Sequence, residues 1–463
     1  MTRPHFQKML DVLPGDSHVI LDPGLACKTT ADLNLKNRKG VVLDGLIGVR
    51  ESGYFAEKPF TLIYNGPDGG TIFHWGQTRN SELRHCLLLS APTFSTAGGA
   101  DRAIWFDNGF GSGGGISSAN TLYDVTMYGM GTRASFVAVD IGNASNGSND
   151  EYHTIEKCSM RGGIYDNPTL YTLTGIGVRM NHSNVKKIIL RENSIMQCQY
   201  GVRVIGASFQ GWSNAIGGNT TNYYFDTWGE PIEIFGDDSE SSGQVLKING
   251  GGLAPVTFSH CRWDRDYLHN ISGTTSLPLF DWGGSAARVA LNDCYLGNWY
   301  HDDTSDAAHQ AWFTNNTTIF KGSTVQGSLK LNNCVLNNFY EGYLLQNFLT
   351  FLNVDYDGQQ FGTGPTSGLG GGIQGLTSRR FLAQPDSRTA SNAGQWVFRQ
   401  RRGTEFHRGR RRASGIARHP EPERNLQIRA VYAALWRQLH QFRLNAVSGL
   451  CFGRGCGRSA HDA

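Results

Sequence analysis

Two stretches concentrate the residue types most suited to chemistry. SHCRWDRDYLHN (259–270) carries His260, Arg262, Asp264, Arg265, Asp266, Tyr267 and His269. LGNWYHDDTSD (296–306) carries Trp299, Tyr300, His301, Asp302, Asp303 and Asp306. Aligning Cys261 on Cys294, 33 residues on, sets Asp266 beside Trp299, Tyr267 beside Tyr300 and His269 beside Asp302. The mixture suits a carbohydrate: aromatic rings stack on the apolar faces of sugars, while Arg and Asp bond hydroxyl or uronate groups. Two carboxyl groups across a cleft can act as acid and base, their separation setting inversion or retention. The candidate catalytic residues are therefore Asp264, Asp266, Asp302 and Asp303, and the candidate substrate-binding residues Arg262, Tyr267, Trp299 and Tyr300. A plainer reading stands beside each: a solvated turn for Asp302 and Asp303, and surface ion pairs, worth little energy, for Asp264 and Asp266 between their arginines.

These residues sit on a repeated strand pattern, clearest in SLKLNNCVLNN (328–338). Its grammar is apolar, any, apolar, two free positions, a small residue or Asn, any, apolar. It recurs at Val289, Leu291, Cys294, Leu296 and at Val256, Phe258, Cys261, Trp263. Looser copies contain Cys158 and Cys86, and relaxed ones contain Val125 and Asn193. Alternation with period two predicts strands. Recurrence at intervals of roughly 30 to 40 residues predicts one rung of a coil per copy. The fold class expected is all-β, a single-stranded right-handed parallel β-helix whose rungs bury their apolar faces on one another. Cys86, Cys158, Cys261, Cys294 and Cys334 then line up inside the coil as small buried residues. Asn298 and Asn338 are placed for a short Asn ladder across rungs about 4.8 Å apart.

The opening residues carry a resemblance. Pro23, Gly24, Leu33, Leu35, Val41, Leu43 and Gly45 follow a short helical stretch, and TLIYNGPDGGTIFHWG (61–76) reads as the next coil. This resembles the start of the pectin-lyase-like right-handed parallel β-helix superfamily, over about residues 9 to 345. The resemblance implies a capping helix, a first coil and a polysaccharide-related role of the tailspike or polysaccharide-degrading type. It transfers no catalytic residue. Polygalacturonases of that fold carry Asn-Thr-Asp, Asp-Asp, Gly-His-Gly and Arg-Ile-Lys blocks. This chain has only the Asp-Asp pairs, at 237–238 and 302–303.

The domain reading is an N-terminal cap and first strand at 1–30, possible truncation included, and the β-helix at 31–357. A Gly-rich linker at 358–378 and an Arg-rich tail at 379–463 follow. The tail holds 17 Arg, no Lys and 5 acidic residues, a charge of +12, while the remainder is −9. A −9 body repels nucleic acid. The exclusion of Lys favours out-of-frame translation for the tail. Disorder and a basic binding tail are the other readings. Residues 90–121 read as a flexible excursion, and 206–250 as three short strands with an exposed acidic loop at 236–243. That loop is the one candidate for weak calcium binding; otherwise no metal or cofactor is expected. No apolar run reaches about 18 residues, so no membrane partner is expected. No secretory signal is visible. The functional expectation is a glycosidase or polysaccharide lyase acting on an extended glycan. The alternative is a non-catalytic tail-fibre or adhesin-like receptor-binding protein. Either acts outside the cell or on a virion, and a homotrimer is the assembly to test.

Overall fold

In a computed structural model, the described residues are 3–47, 58–93, 96–108, 115–131, 135–143, 149–162, 173–240, 243–252, 254–265, 279–281, 287–298, 320–321 and 328–337, with strand segments at 349–352, 355–357, 381–385 and 396–400. The chain forms a parallel β-helix, right-handed as crossovers between parallel strands are. Each coil contributes a strand to three ladders in turn. The first sheet runs from His18–Ile20 to Leu349–Leu352, the second from Ala26–Thr29 to Asp355–Asp357, and the third from Leu33–Lys36 to Phe320–Lys321. A small parallel ladder, Ile116–Ser118, Asn149–Glu151 and Val185–Lys186, decorates the corner between the third and first sheets. Phe381–Pro385 and Trp396–Gln400 pair antiparallel in a separate hairpin.

The repeat grammar has a direct physical cause at the turn from the first sheet to the second. The second free position of each copy adopts a left-handed backbone: His85, Asp124, Lys157, Glu192, Ser213, His260, Asp293 and Asn333 all have φ between 50° and 55°. One such residue turns the corner, and its N–H reaches the carbonyl of the next rung, as His260 does to Asn292 at 2.9 Å. The turn therefore leaves no backbone donor unpaired. The residue after it points inward. From Cys86 onward this slot holds Cys86, Val125, Cys158, Asn193, Asn214, Asp237, Cys261, Cys294 and Cys334, all buried.

The five expected cysteines are free thiols in the core, as are Cys27 and Cys198. Burial pushes the Cys198 thiol up to about 12. Native protein should therefore resist maleimide at these seven positions, and chaotrope should expose them all. Peptide mapping reads each site; fast native labelling at any of them contradicts the inward slot.

At the N-terminal end, helix α1 (Arg3–Val12) closes the stack. Phe6 and Leu10 are buried, with Phe6 stacked on Phe60. The Gln7 amide donates to Asn34 O at 3.0 Å and accepts from Asn34 N at 2.8 Å, pairing with the first strand of the third sheet as another strand would. An edge that would otherwise recruit other chains is thereby covered.

Several sequence expectations need correction. The stretch at 90–121 is not one excursion, because Arg102–Asp107 is a full rung of the third sheet. Residues 206–250 form six strands rather than three. Coil length ranges from 21 residues, Ile188 to Phe209, to 40, Val42 to Glu82, because the middle coils carry almost no loops. The presumed acidic loop at 236–243 contains the strand Asp238–Glu240, and Asp237 is buried as a ladder member. Asn338 and the side chain of Asn298 lie outside the described residues. Amide ladders occur instead at Asn193–Asn214 inside the coil and Asn292–Asn332 outside it.

Candidate functional site

The second sheet positions the first candidate group. Arg262 and Asp264 are alternate residues of Arg262–Arg265 and share its outer face. Arg262 Nη2 lies 2.5 Å from Asp264 Oδ2, and the Asp264 side chain is only 6% exposed against 49% for Arg262. The Arg262 guanidinium also sits 5.9 Å from the Tyr295 ring on the next rung. Gly297 is opposite Asp264, and a Cβ there would meet Asp264 Oδ1 at 2.4 Å. The absent side chain leaves room for the carboxylate. In register, Asp264 continues a column with Glu240 on one side and Gly297, Asn337 and Asp357 on the other.

The predicted offset of 33 residues between the two clusters holds wherever it is described: Arg262 pairs with Tyr295 and Arg265 with Asn298. Asp266, Tyr267, Trp299, Tyr300, Asp302 and Asp303 lie outside the described residues. By connectivity they belong to the segments that join second-sheet strands to third-sheet strands, since Arg262–Arg265 leads to Phe280–Asp281 and Tyr295–Asn298 leads to Phe320–Lys321.

The third sheet holds a strip that sequence reasoning missed. Its outward column reads His74, Trp105, Asp140, Arg179, Arg203, Tyr224, Lys247 and Asp281 on successive rungs. Asp140 is the hub of its first half. Arg179 grips it with both arms of its fork, Nε to Oδ1 at 2.9 Å and Nη2 to Oδ2 at 2.6 Å, and Arg102 Nε reaches Oδ2 at 2.7 Å. Such bidentate, charge-assisted bonds fix the guanidinium in direction as well as place. Burial works against the Arg179 charge, and Asp140 more than restores it, so the proton is held more tightly than usual.

Arg102 also lies over Trp105 at 4.5 Å, and Trp105 stacks on His74 at 4.2 Å with the rings 10° apart. His74 Nε2 shares a 2.7 Å hydrogen bond with buried Asp107. Further along, Arg203 bonds Asp226 at 3.0 Å and lies 5.7 and 5.4 Å from the rings of Tyr200 and Tyr224. Desolvation, then Asp226, raises the Tyr224 phenol above its ordinary value, so it remains a donor at neutral pH. Arg179, Arg203 and Lys247 thus place three cations in four rungs, interleaved with aromatic rings.

A signal for this strip was present in the sequence. The triplets Val178-Arg179-Met180, Val202-Arg203-Val204, Tyr223-Tyr224-Phe225 and Leu246-Lys247-Ile248 each set one polar or aromatic residue between two core residues. The cysteine-marked copies drew attention to the other two sheets instead.

Among the described residues, no group of three or more His, Cys, Asp or Glu is placed to hold a metal ion. No helix of the described residues is long and apolar enough to cross a membrane.

No protein-family model and no curated protein matches the chain. Solved structures similar to it include an alginate lyase from Paenibacillus sp. str. FPU-7, at 12% identity and TM-score 0.30, covering 78% of this chain and 94% of that one. A mutant DFA-IIIase from Arthrobacter chlorophenolicus A6 in complex with DFA-III gives 12% identity and TM-score 0.38, covering 78% and 93%. PfbA, a surface adhesin of Streptococcus pneumoniae, gives 10% identity and TM-score 0.41, covering 85% and 94%. On its own three in-register ladders, this chain is a parallel β-helix protein.

Proposed function

We propose that the chain binds an extended polysaccharide along the outer face of the third sheet and cleaves it, outside the cell or on a virion. One observation carries the binding reading: the strip of Arg102, Trp105, Arg179, Arg203, Tyr224 and Lys247 on consecutive rungs. The rungs are about 4.8 Å apart, close to the length of one pyranose unit, so successive sugars meet equivalent side chains. The guanidinium and ammonium groups suit carboxylated sugars, and the rings suit their apolar faces.

Cleavage would fall to the carboxylates at the second-to-third-sheet connections. Asp264, Asp266, Asp302 and Asp303 are the proposed acid–base group, with Arg262, Tyr267, Trp299 and Tyr300 holding the glycan. Asp264 itself favours a second reading. A nearly buried carboxylate 2.5 Å from an arginine is what a structural ion pair looks like, and the protein would then bind without cutting.

Product analysis separates the two. Incubation with polyuronate and neutral glycan panels should release reducing ends or unsaturated sugars. Asp266→Asn and the Asp302→Asn/Asp303→Asn pair should lower that rate at least a hundredfold with the unfolding midpoint unchanged. Retention of glycan with no product from the wild type establishes binding alone. Wild-type rates in these variants remove them from the reaction.

A further inference from the structure

We infer that the outer face of the first sheet carries a second carbohydrate site, for an uncharged glycan, built on the exposed ring stack Trp212–Phe235–His260 and the amides of Asn292 and Asn332. It shares the glycan-binding reading above but none of its residues.

Trp212 and Phe235 are 40% and 41% exposed, unusual for large rings in a coil whose other aromatics fill the core. They stand on adjacent rungs of the first sheet with centroids 5.5 Å apart, and exposed His260 on the next rung meets Phe235 at 4.9 Å. The turn positions beside Trp212 and Phe235 are Ser213 and Gly236, whose backbones are left-handed and whose bulk is small. A Cβ on Gly236 would meet nothing closer than Ser213 Oγ at 3.4 Å, so that edge of the rings stays open.

The same column continues as Ser259, Asn292 and Asn332. Asn332 Nδ2 donates to Asn292 Oδ1 at 2.6 Å, and Asn292 Nδ2 lies 3.4 Å from Ser259 Oγ. Five rungs, from Trp212 to Asn332, therefore carry rings and then amides without a formal charge in the column. Beside the rings, Gln210 and Glu233 are bonded to each other at 3.2 Å.

Charge selects the occupant. A polyanion finds no cation in this column, in contrast to the Arg179, Arg203 and Lys247 strip. A neutral pyranose chain offers C–H faces to the rings and hydroxyls to the amides, at a repeat close to the rung spacing. Ring stacking with amide bonding is insensitive to salt, whereas ion pairing at the third sheet is screened.

The test is affinity electrophoresis of the full chain in gels containing galactomannan, xyloglucan or laminarin, and in polygalacturonate gels. Wild type should be retarded in at least one neutral gel, equally at low and high salt. Trp212→Ala/Phe235→Ala should weaken that retention at least tenfold and leave retention in polygalacturonate intact. Arg179→Ala/Arg203→Ala should do the reverse, so failure of either site shows separately. Asn292→Ala/Asn332→Ala gives an independent variant should the ring variant misfold. Free migration of the wild type in every neutral gel, or unchanged retention after ring removal, overturns the inference. Dissociation of an oligomer by the ring variant in sedimentation velocity also overturns it, by making this face a contact between copies.

Discussion

Replacing Asn214 by leucine should lower stability by about 4 kcal/mol, although leucine is apolar and the site is fully buried. Asn214 is the middle member of an internal polar column. Its Oδ1 accepts from Asn193 N at 3.0 Å and from Asn193 Nδ2 at 2.9 Å. Its Nδ2 donates to Leu190 O at 3.0 Å and Asp237 Oδ1 at 3.1 Å. Leucine deletes both roles, stranding the Asn193 donors and removing one donor from the Asp237 carboxyl. Each buried polar group left unpaired costs roughly 1–3 kcal/mol, which outweighs the gain from a buried methyl pair. Val125 fills the same slot without penalty because its neighbours there are Cys86 and Cys158, which ask nothing of it. Denaturant unfolding measures the change. A variant within 1 kcal/mol of wild type contradicts the ladder.

Asp237→Asn should act in the opposite direction, and only above a certain pH. Burial raises the Asp237 carboxyl from the ordinary 3.8 to about 6, against hydrogen bonds from Tyr223 and Asn214 that favour its charged form. Below about pH 4 the carboxyl is protonated in both folded and unfolded chains and costs nothing. As pH rises from 4 to 6 the unfolded chain gives up this proton while the folded one retains it, so stability falls. The loss levels off above pH 6 at about 3 kcal/mol. Asparagine has no charge to bury and extends the Asn193–Asn214 pattern by one rung. The variant should therefore exceed wild type by up to that amount at pH 7.5 and converge towards it near pH 4. Urea midpoints across this range provide the check. A deficit at pH 7.5, or a difference independent of pH, refutes the assignment.

The parts of the fold legible in the sequence were those where one backbone requirement repeats. The left-handed turn residue sits two positions after Phe258, Leu291 and Leu331, and the inward slot follows at once, so Cys261, Cys294 and Cys334 announced the rung. The slot was hidden where its occupant was polar. Asp237 read as an exposed acid because a carboxylate in a core is rare, and only Asn214 below it and Tyr223 beside it make the position habitable. The third sheet was hidden for a different reason. Its strands are separated from the marked turn by connections that range from a few residues to more than a dozen, so Arg179 and Arg203 had no fixed offset from any cysteine. Of the eight candidate site residues, Arg262 and Asp264 are described and do come together, through the alternation of a single strand rather than a cleft.

Hydroxyl-radical footprinting of the full chain, with and without saturating polygalacturonate, locates a bound glycan most directly. Trp105, Tyr200 and Tyr224 on the third sheet should lose oxidation, while Trp212 and Phe235 on the first sheet should oxidise as before. Unchanged oxidation of the third-sheet rings under saturating polymer, or protection confined to another face, would contradict the placement of the polysaccharide along that sheet.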